Sequence, residues 1–161
     1  MRLGFTLAVL LLSTLAHAQP IIGDRAPALN VLTLSDGGFS LSGRKGQVTI
    51  VDFSATWCGP CHQALAVLRA LVAANPRLRL IVVDVNEPKA KVAEFYAGAL
   101  GDKNLEVLLD LDGQAARTWG AVRFPTTFVL DDTGAIRHIN RGFGSGYPDR
   151  LQGWVQGLLR P

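Results

Sequence analysis

The chain is poor in cysteine and histidine, since its 161 residues include two cysteines and three histidines. A structural zinc site takes about four such side chains, and His17 lies in a segment that we expect to be removed. The two cysteines therefore do not indicate a zinc site. The sequence also lacks a basic run or a stripe of aromatic and basic residues, and its net charge is only +3, so it does not indicate a nucleic acid partner.

Long apolar runs are scarce too, and the one that exists is at the N-terminus. Residues 3–15 are interrupted only by small or hydroxylated side chains, Arg2 precedes them, and Ala16-His17-Ala18 matches an A-x-A cleavage site. The run is shorter than the roughly 20 residues of a membrane span. We predict a cleaved signal peptide over residues 1–18 and a periplasmic protein. The alternative is an uncleaved membrane anchor, with the protein facing the periplasm.

Residues 19–161 are predicted to form one domain. Removing residues 1–18 takes away one arginine and no acid, which leaves 143 residues with a net charge of +2. This length suits a single domain with a proper core. Disulfides persist in oxidising compartments, and a chain with only two cysteines avoids competing pairings there.

Both cysteines fall in the stretch Trp57-Cys58-Gly59-Pro60-Cys61, between a predicted buried strand and a predicted apolar helix. A helix that begins near Cys58 has unpaired N–H groups and a dipole that stabilise a thiolate there. Pro60 fits the first turn because it needs no N–H partner. We predict a redox dithiol in which Cys58 attacks and the more buried Cys61 resolves the mixed disulfide. The alternative is a structural disulfide, although so short a loop gives little entropic stabilisation.

The order of elements predicts an α/β fold with a mixed central sheet and helices on both faces. A hairpin is predicted over residues 29–41, with its turn at 36–38. The remaining predicted strands cover residues 48–55, 78–85, 106–109, 126–130 and 135–140, and the helices cover 59–74, 88–100, 114–119 and 147–159.

Asp52 is an anomaly in the predicted strand over residues 48–55, because its neighbours are those of a buried strand. Burial of a carboxylate is costly and raises its pKa. Such a group exchanges protons near neutral pH, so Asp52 is a candidate proton-transfer residue. The alternative is that Asp52 caps a loop or reaches solvent.

The sequence resembles the thioredoxin-like proteins, and in particular the exported TlpA/ResA type. WCGPC is the thioredoxin active-site motif, and VDFSATWCGPC matches the thioredoxin strand that precedes it. The wider similarity covers nearly all of the chain after about residue 20 and includes GDRAP at 23–27, LSGRKG at 41–46, LDLDG at 109–113 and FPTTFVLD at 124–131. The resemblance implies a thioredoxin-like fold with an N-terminal hairpin, in which residues 88–109 are the inserted helix and strand of this branch.

The resemblance also assigns roles to residues around the motif. Asp52 matches the buried aspartate beneath the thioredoxin disulfide, although many TlpA/ResA proteins have asparagine there. ResA has a glutamate three residues after the second cysteine, where this chain has Ala64. Pro125 matches the cis-proline that faces the disulfide and leaves backbone groups free to pair with an extended substrate segment. The predicted substrate-binding residues are Trp57, Gly59, Pro60, Phe124, Pro125 and Thr126, and the alternative for Trp57 is that it simply covers the motif. His62 is predicted to be a solvated helix residue, and the alternative is that it tunes the thiolate or helps to bind a metal.

The function implied by the resemblance is thiol-disulfide oxidoreduction on exported proteins by a monomer, with no cofactor besides the Cys58–Cys61 disulfide and no metal. The Gly-Pro spacer resembles that of thioredoxin, a reductant at about −270 mV rather than an oxidant at about −120 mV. We therefore predict a reductant of the cytochrome c maturation or copper-site assembly type, recharged by a membrane thiol transporter. The alternatives are a copper-binding metallochaperone using Cys58 and Cys61, an oxidising or isomerising exchanger, and a redox-inert adaptor.

Overall fold

The computed structural model describes residues 19–34, 39 and 41–160, which form one six-stranded mixed sheet in the order β1-β4-β3-β2-β5-β6. Strands β2, β3 and β4 are parallel to one another, while β1, β5 and β6 run antiparallel to their neighbours. The strands are β1 Leu32–Thr33, β2 Val48–Ser54, β3 Leu78–Val85, β4 Leu105–Asp110, β5 Thr126–Leu130 and β6 Ile136–Arg141.

Strands β2 and β3 lie in the middle of the sheet, and their side chains are therefore buried along the whole length of each strand. Near-continuous apolar runs of this kind are typical of strands that are covered on both faces. Successive side chains point to opposite faces, so Ile50 lies in one core cluster and Val51 in the other. Asp52 and Ser54 follow Ile50 by two and four residues and therefore share its face.

Four helices cover the two faces of the sheet: α1 Gly59–Ala73, α2 Lys89–Tyr96, α3 Gln114–Thr118 and α4 Tyr147–Leu159. Leu68 of α1, Tyr96 of α2 and Leu151 of α4 belong to the cluster on the Ile50 face. Ala115 and Ala116 of α3, with Trp119 after it, belong to the opposite cluster. The prediction of a mixed sheet with helices on both faces is confirmed.

Several predicted boundaries differ from the observed ones. Helix α2 ends at Tyr96 rather than at residue 100. Gly98 and Gly101, which follow Tyr96, are poor helix formers. The turn of the predicted hairpin over residues 29–41 lies outside the described residues, and the strand that is described there, β1, pairs with β4. The predicted signal peptide also lies outside them. No helix of the described part of the chain is long and apolar enough to cross a membrane.

Candidate active site

Cys58 and Cys61 form a disulfide at the point where β2 leads into α1. Cys58 is the N-cap residue of α1, and its Sγ accepts a hydrogen bond from the backbone N–H of Cys61 at 3.3 Å. The backbone N–H of Cys58 in turn donates to the carbonyl of Ala55 at 3.1 Å. The Cys61 N–H at the helix start is thus shared between Cys58 Sγ and the Cys58 carbonyl, to which it donates at 2.9 Å, and the same N–H would stabilise a Cys58 thiolate after reduction.

The two cysteines differ in exposure, since Cys58 is 5% exposed and Cys61 is 1% exposed. The order agrees with the expectation that Cys61 is the more buried of the pair. Gly59 and Pro60 between them are exposed, so an approaching protein meets the Cys58 side of the disulfide first. The roles of attacking and resolving thiol are predictions that the trapping experiment below tests.

Two aromatic side chains lie beside the disulfide. Phe124 packs against the cluster of Ala55, Cys58 and Cys61, and its ring centroid is 6.2 Å from that of Trp57, which is 67% exposed. The Phe124–Pro125 peptide bond is cis, as the resemblance implies. The structure therefore brings Trp57 and Phe124 together beside the disulfide, beyond the end of β2, while Pro125, which follows Phe124 in the chain, is buried.

Thr126 stands apart from the other predicted substrate-binding residues. Its side chain is fully buried, and its hydroxyl donates to the carbonyl of Arg123. The residue also pairs with Phe53 of β2 and Arg141 of β6 within the sheet. Its side chain therefore faces the interior of the protein.

Asp52 is 1% exposed, on the sheet face that α1 covers. Its Oδ1 accepts a hydrogen bond from the Thr127 hydroxyl at 2.7 Å, and the Thr127 and Tyr147 hydroxyls are 3.0 Å apart. Its Oδ2 is buried and has no hydrogen-bond partner among the described residues. Burial raises the pKa of Asp52 to about 7, although the Thr127 hydrogen bond opposes the shift. The prediction of a buried Asp52 with a raised pKa therefore agrees with the structure, and its role in proton transfer stays a prediction.

His62 lies on the exposed side of α1, and its Nε2–H donates to the carbonyl of Thr56 at 2.7 Å. Its ring also packs against Phe95, with centroids 4.8 Å apart. His62 is thus exposed, as expected, but it is fixed by a hydrogen bond that sequence alone did not suggest. The part of the chain that the structure describes contains no group of three or more His, Cys, Asp or Glu side chains that could hold a metal ion.

Three further residues, for which no role was predicted, lie in or next to the loop that precedes Cys58. Thr56 in that loop donates two hydrogen bonds to Glu87, which follows β3, and Asp84 is a buried acid at the end of β3. The signal for Asp84 was present in the sequence, because it interrupts an apolar strand in the way that Asp52 does. The contact between Thr56 and Glu87 spans 31 residues, and no local pattern predicts it.

The comparisons with known proteins agree with this geometry. The model of the AhpC/TSA family matches residues 22–139. The chain belongs to the AhpC/TSA family. It is 33% identical over 123 residues to the thioredoxin-like protein YneN of Bacillus subtilis, covering 74% of this chain and 71% of that protein.

Further members that match the chain are thiol-disulfide oxidoreductases by name. The thiol:disulfide interchange protein DsbE homolog of Paracoccus denitrificans is 33% identical over 130 residues, covering 79% of this chain and 70% of that protein. A crystal structure from Chlorobium tepidum, assigned as the thiol:disulfide interchange protein DsbE, superposes with a TM-score of 0.78 at 26% identity, covering 87% of this chain and 99% of that one. With its Cys58–Cys61 pair, this family member is a thiol-disulfide oxidoreductase of the ResA/DsbE type.

Proposed function

We propose that this oxidoreductase is a periplasmic reductant of disulfides in exported proteins and that its dithiol form is the active one. The observation that carries the proposal is the Cys58–Cys61 disulfide at a helix N-terminus, with the exposed Trp57 and the half-buried Phe124 beside it. An exposed aromatic surface next to the reactive sulfur suits a protein substrate better than a small molecule, because it offers a docking area rather than an enclosed cavity.

The proposed reaction transfers two electrons from the protein to its substrate. The Cys58 thiolate attacks one sulfur of the substrate disulfide, which forms a mixed disulfide and releases the other substrate sulfur as a thiolate. Cys61 loses its proton and attacks Cys58 Sγ, which releases the second substrate thiolate and forms the Cys58–Cys61 disulfide. The Asp52 carboxylate accepts the proton from Cys61, because a carboxyl whose pKa is about 7 exchanges protons at neutral pH.

The direction of transfer is supported by the Gly59-Pro60 spacer, which resembles that of thioredoxin, a reductant at about −270 mV. A reductant in an oxidising compartment has to be recharged, and a membrane thiol transporter is the proposed electron donor. The protein would act as a monomer on apocytochrome c thiols before haem attachment or on copper-site cysteines during oxidase assembly. The residues before 19 would supply the signal peptide that brings it there.

Cysteine variants test the chemistry. Cys61→Ser is expected to accumulate mixed disulfides through Cys58, since the resolving thiol is missing, whereas Cys58→Ser is expected to abolish insulin reduction. The trapped partners, identified by mass spectrometry from cells that express the Cys61→Ser variant, would name the substrate. Equal yields of adducts through Cys61 in the Cys58→Ser variant would contradict the assignment of the two roles.

The redox potential and the state in cells test the direction. Equilibration of the wild-type protein with glutathione, read from Trp57 fluorescence, should give a potential below roughly −200 mV. Alkylation of thiols in intact cells should find much of the protein reduced, and oxidised after loss of membrane thiol transporters. A potential near about −120 mV would instead make the protein an oxidant of exported chains.

A further inference from the structure

The loop residue Thr56 has polar contacts to two separate elements. Its backbone N–H and its hydroxyl both donate to the Glu87 carboxylate, the hydroxyl at 2.7 Å. Its carbonyl accepts the Nε2–H of His62 at 2.7 Å. Thr56 lies two residues before Cys58, so these contacts fix the chain where it enters the active-site helix α1.

Glu87 is suited to hold this loop because it is itself buried and charged. Its side chain is 4% exposed, and its Oε1 accepts a hydrogen bond from Lys91 in the first turn of α2. Burial acts to raise the pKa of Glu87, but the hydrogen bonds from Lys91 and Thr56 outweigh it and hold the pKa below its ordinary value. Glu87 is thus an anion at neutral pH, with donors on both of its oxygens.

Asp84 precedes Glu87 by three residues in the chain and is 1% exposed. In the sheet it pairs with Ser54 of β2 and Leu109 of β4, so it shares the α1 face with Asp52. Neither of its oxygens makes a hydrogen bond of normal geometry to a described residue. The groups of the neighbouring elements that act on it are Glu87, Lys91 and Tyr96, and Tyr96 also interacts with Ser54 and Asp52.

Asp84 is neutral when Glu87 is charged. Burial, reinforced by the negative charge of Glu87, raises the pKa of Asp84 to about 8, against the smaller opposing effects of Lys91 and Tyr96. Two neighbouring buried carboxyls of this kind share one negative charge between them over the neutral range. Above about pH 8 the second charge forms, and it repels the carboxylate that holds Thr56.

We propose that Glu87 is a positioning residue for Cys58, because its carboxylate holds Thr56, and that Asp84 sets the pH range in which it acts, because a charge on Asp84 weakens that hold. The pair acts through the loop and not on the reacting sulfurs. It is distinct from Asp52, which is bonded to Thr127 on the other side of β2. The inference concerns the exchange reaction itself and holds whichever direction the electrons flow.

The test compares Glu87→Gln and Asp84→Asn with a matched control, Asp102→Asn, which loses the surface ion pair with Arg69 instead. The readout is the rate at which reduced protein attacks a small disulfide, divided by its thiolate fraction from ultraviolet absorbance. Glu87→Gln offers one acceptor oxygen to three donors. We expect its rate per thiolate to fall about tenfold, within the range that misplacement of a reacting group costs.

Asp84→Asn isolates the pH dependence. The wild-type rate per thiolate should decline above about pH 8, since the second carboxylate then forms. An asparagine stays neutral, so the variant should lack this decline, while Asp102→Asn should retain it. Thr56→Val keeps the backbone donor and loses the hydroxyl, so its rate per thiolate should fall less than that of Glu87→Gln. This variant replaces Glu87→Gln in the test if Glu87→Gln does not fold.

Two results would overturn the proposal. One is a folded Glu87→Gln or Thr56→Val protein with a lowered melting temperature but a wild-type rate per thiolate, because the contact would then be structural only. The other is the same alkaline decline in Asp84→Asn as in the wild type. In that second case, loss of the decline in Asp52→Asn would assign the titration to Asp52.

Discussion

Asp52 and Asp110 show how differently two buried carboxyls of one sheet can behave. Both are 1% exposed, but Asp110 accepts a backbone hydrogen bond on each oxygen, from Ala115 and Ala116. Asp52 has one hydrogen bond and an oxygen without a partner among the described residues. A carboxylate is stabilised by the donors around it, so Asp110 suits a structural role and Asp52 suits proton exchange.

Replacement of Asp52 by asparagine should slow turnover and stabilise the protein. The pKa of Asp52 is raised from 3.8 to about 7, so its contribution to folding stability is full below the lower value and is lost as pH rises through the upper one. Asp52→Asn should therefore gain a few kcal/mol over the wild type at neutral pH, since one pKa unit is about 1.4 kcal/mol. Turnover should fall by about tenfold or more if the proton transfer is lost.

Urea denaturation and insulin reduction between about pH 6 and pH 9 measure the two effects. The Asp102→Asn variant is the control for removal of a carboxylate outside the site. Wild-type turnover in Asp52→Asn over this whole range would mean that Asp52 takes no part in proton transfer.

At the scale of elements, the last residue of β4 accepts hydrogen bonds from the first turn of the next helix. Asp110 is the last residue of β4, and its carboxylate accepts the N–H groups of Ala115 at 3.1 Å and Ala116 at 2.8 Å in α3. These are unpaired donors of a helix start. Trp119, which follows α3, then packs against Phe53 and Phe128 in the core. The Asp110 carboxylate therefore holds the short helix that covers this face.

Asp110→Ala should destabilise the protein by about 2–3 kcal/mol, because it leaves two buried N–H donors without an acceptor. The matched control is Asp112→Ala, which removes an exposed hydrogen bond to the N–H of Gln114 in the same helix and should cost about 1 kcal/mol or less. The midpoint of urea denaturation measures both. Equal losses of stability in the two variants would show that the burial of the Ala115 and Ala116 N–H groups does not decide the cost.

At the scale of the whole molecule, the acids under α1 set how stability changes with pH. The pKa values of Asp52 and Asp84 are raised to about 7 and about 8, so both groups lower stability as pH rises. The pKa values of Glu87 and Asp131 are lowered, so these groups lower stability only in acid. His138, whose pKa is lowered by burial, lowers stability as pH falls below its ordinary value.

Stability should therefore be greater near pH 5.5 than near pH 8.5, by about a few kcal/mol. The combined variant with Asp52→Asn and Asp84→Asn removes both groups and should flatten this difference. Urea denaturation of the oxidised wild type and of the variant at the two pH values measures it. A wild type of equal stability at both would contradict the raised pKa values, and an unchanged slope in the variant would place the cause elsewhere.

Much of the fold was predictable because its signals are local. The apolar runs of β2 and β3, the alternation of strands and helices and the bounds of α4 follow from side-chain periodicity, which adjacent residues carry. Boundaries shifted where a poor helix former interrupts the apolar pattern, as at α2, which ends four residues before the predicted end and just ahead of Gly98. The partner of β1 is β4, about 75 residues further along the chain, and periodicity does not encode which strands pair.

The sequence by itself determined the reaction centre, because the two cysteines, the spacer and the helix start are contiguous in the chain and act through local backbone geometry. It also identified Asp52 as an acid in an apolar strand. Only the tertiary structure decided what surrounds that centre. It brought Phe124 against the disulfide, turned Thr126 inward and joined Thr56 to Glu87 beside Asp84. These contacts depend on how β2, β3 and β5 align in the sheet, and alignment is fixed by the packing of the whole core rather than by any one segment.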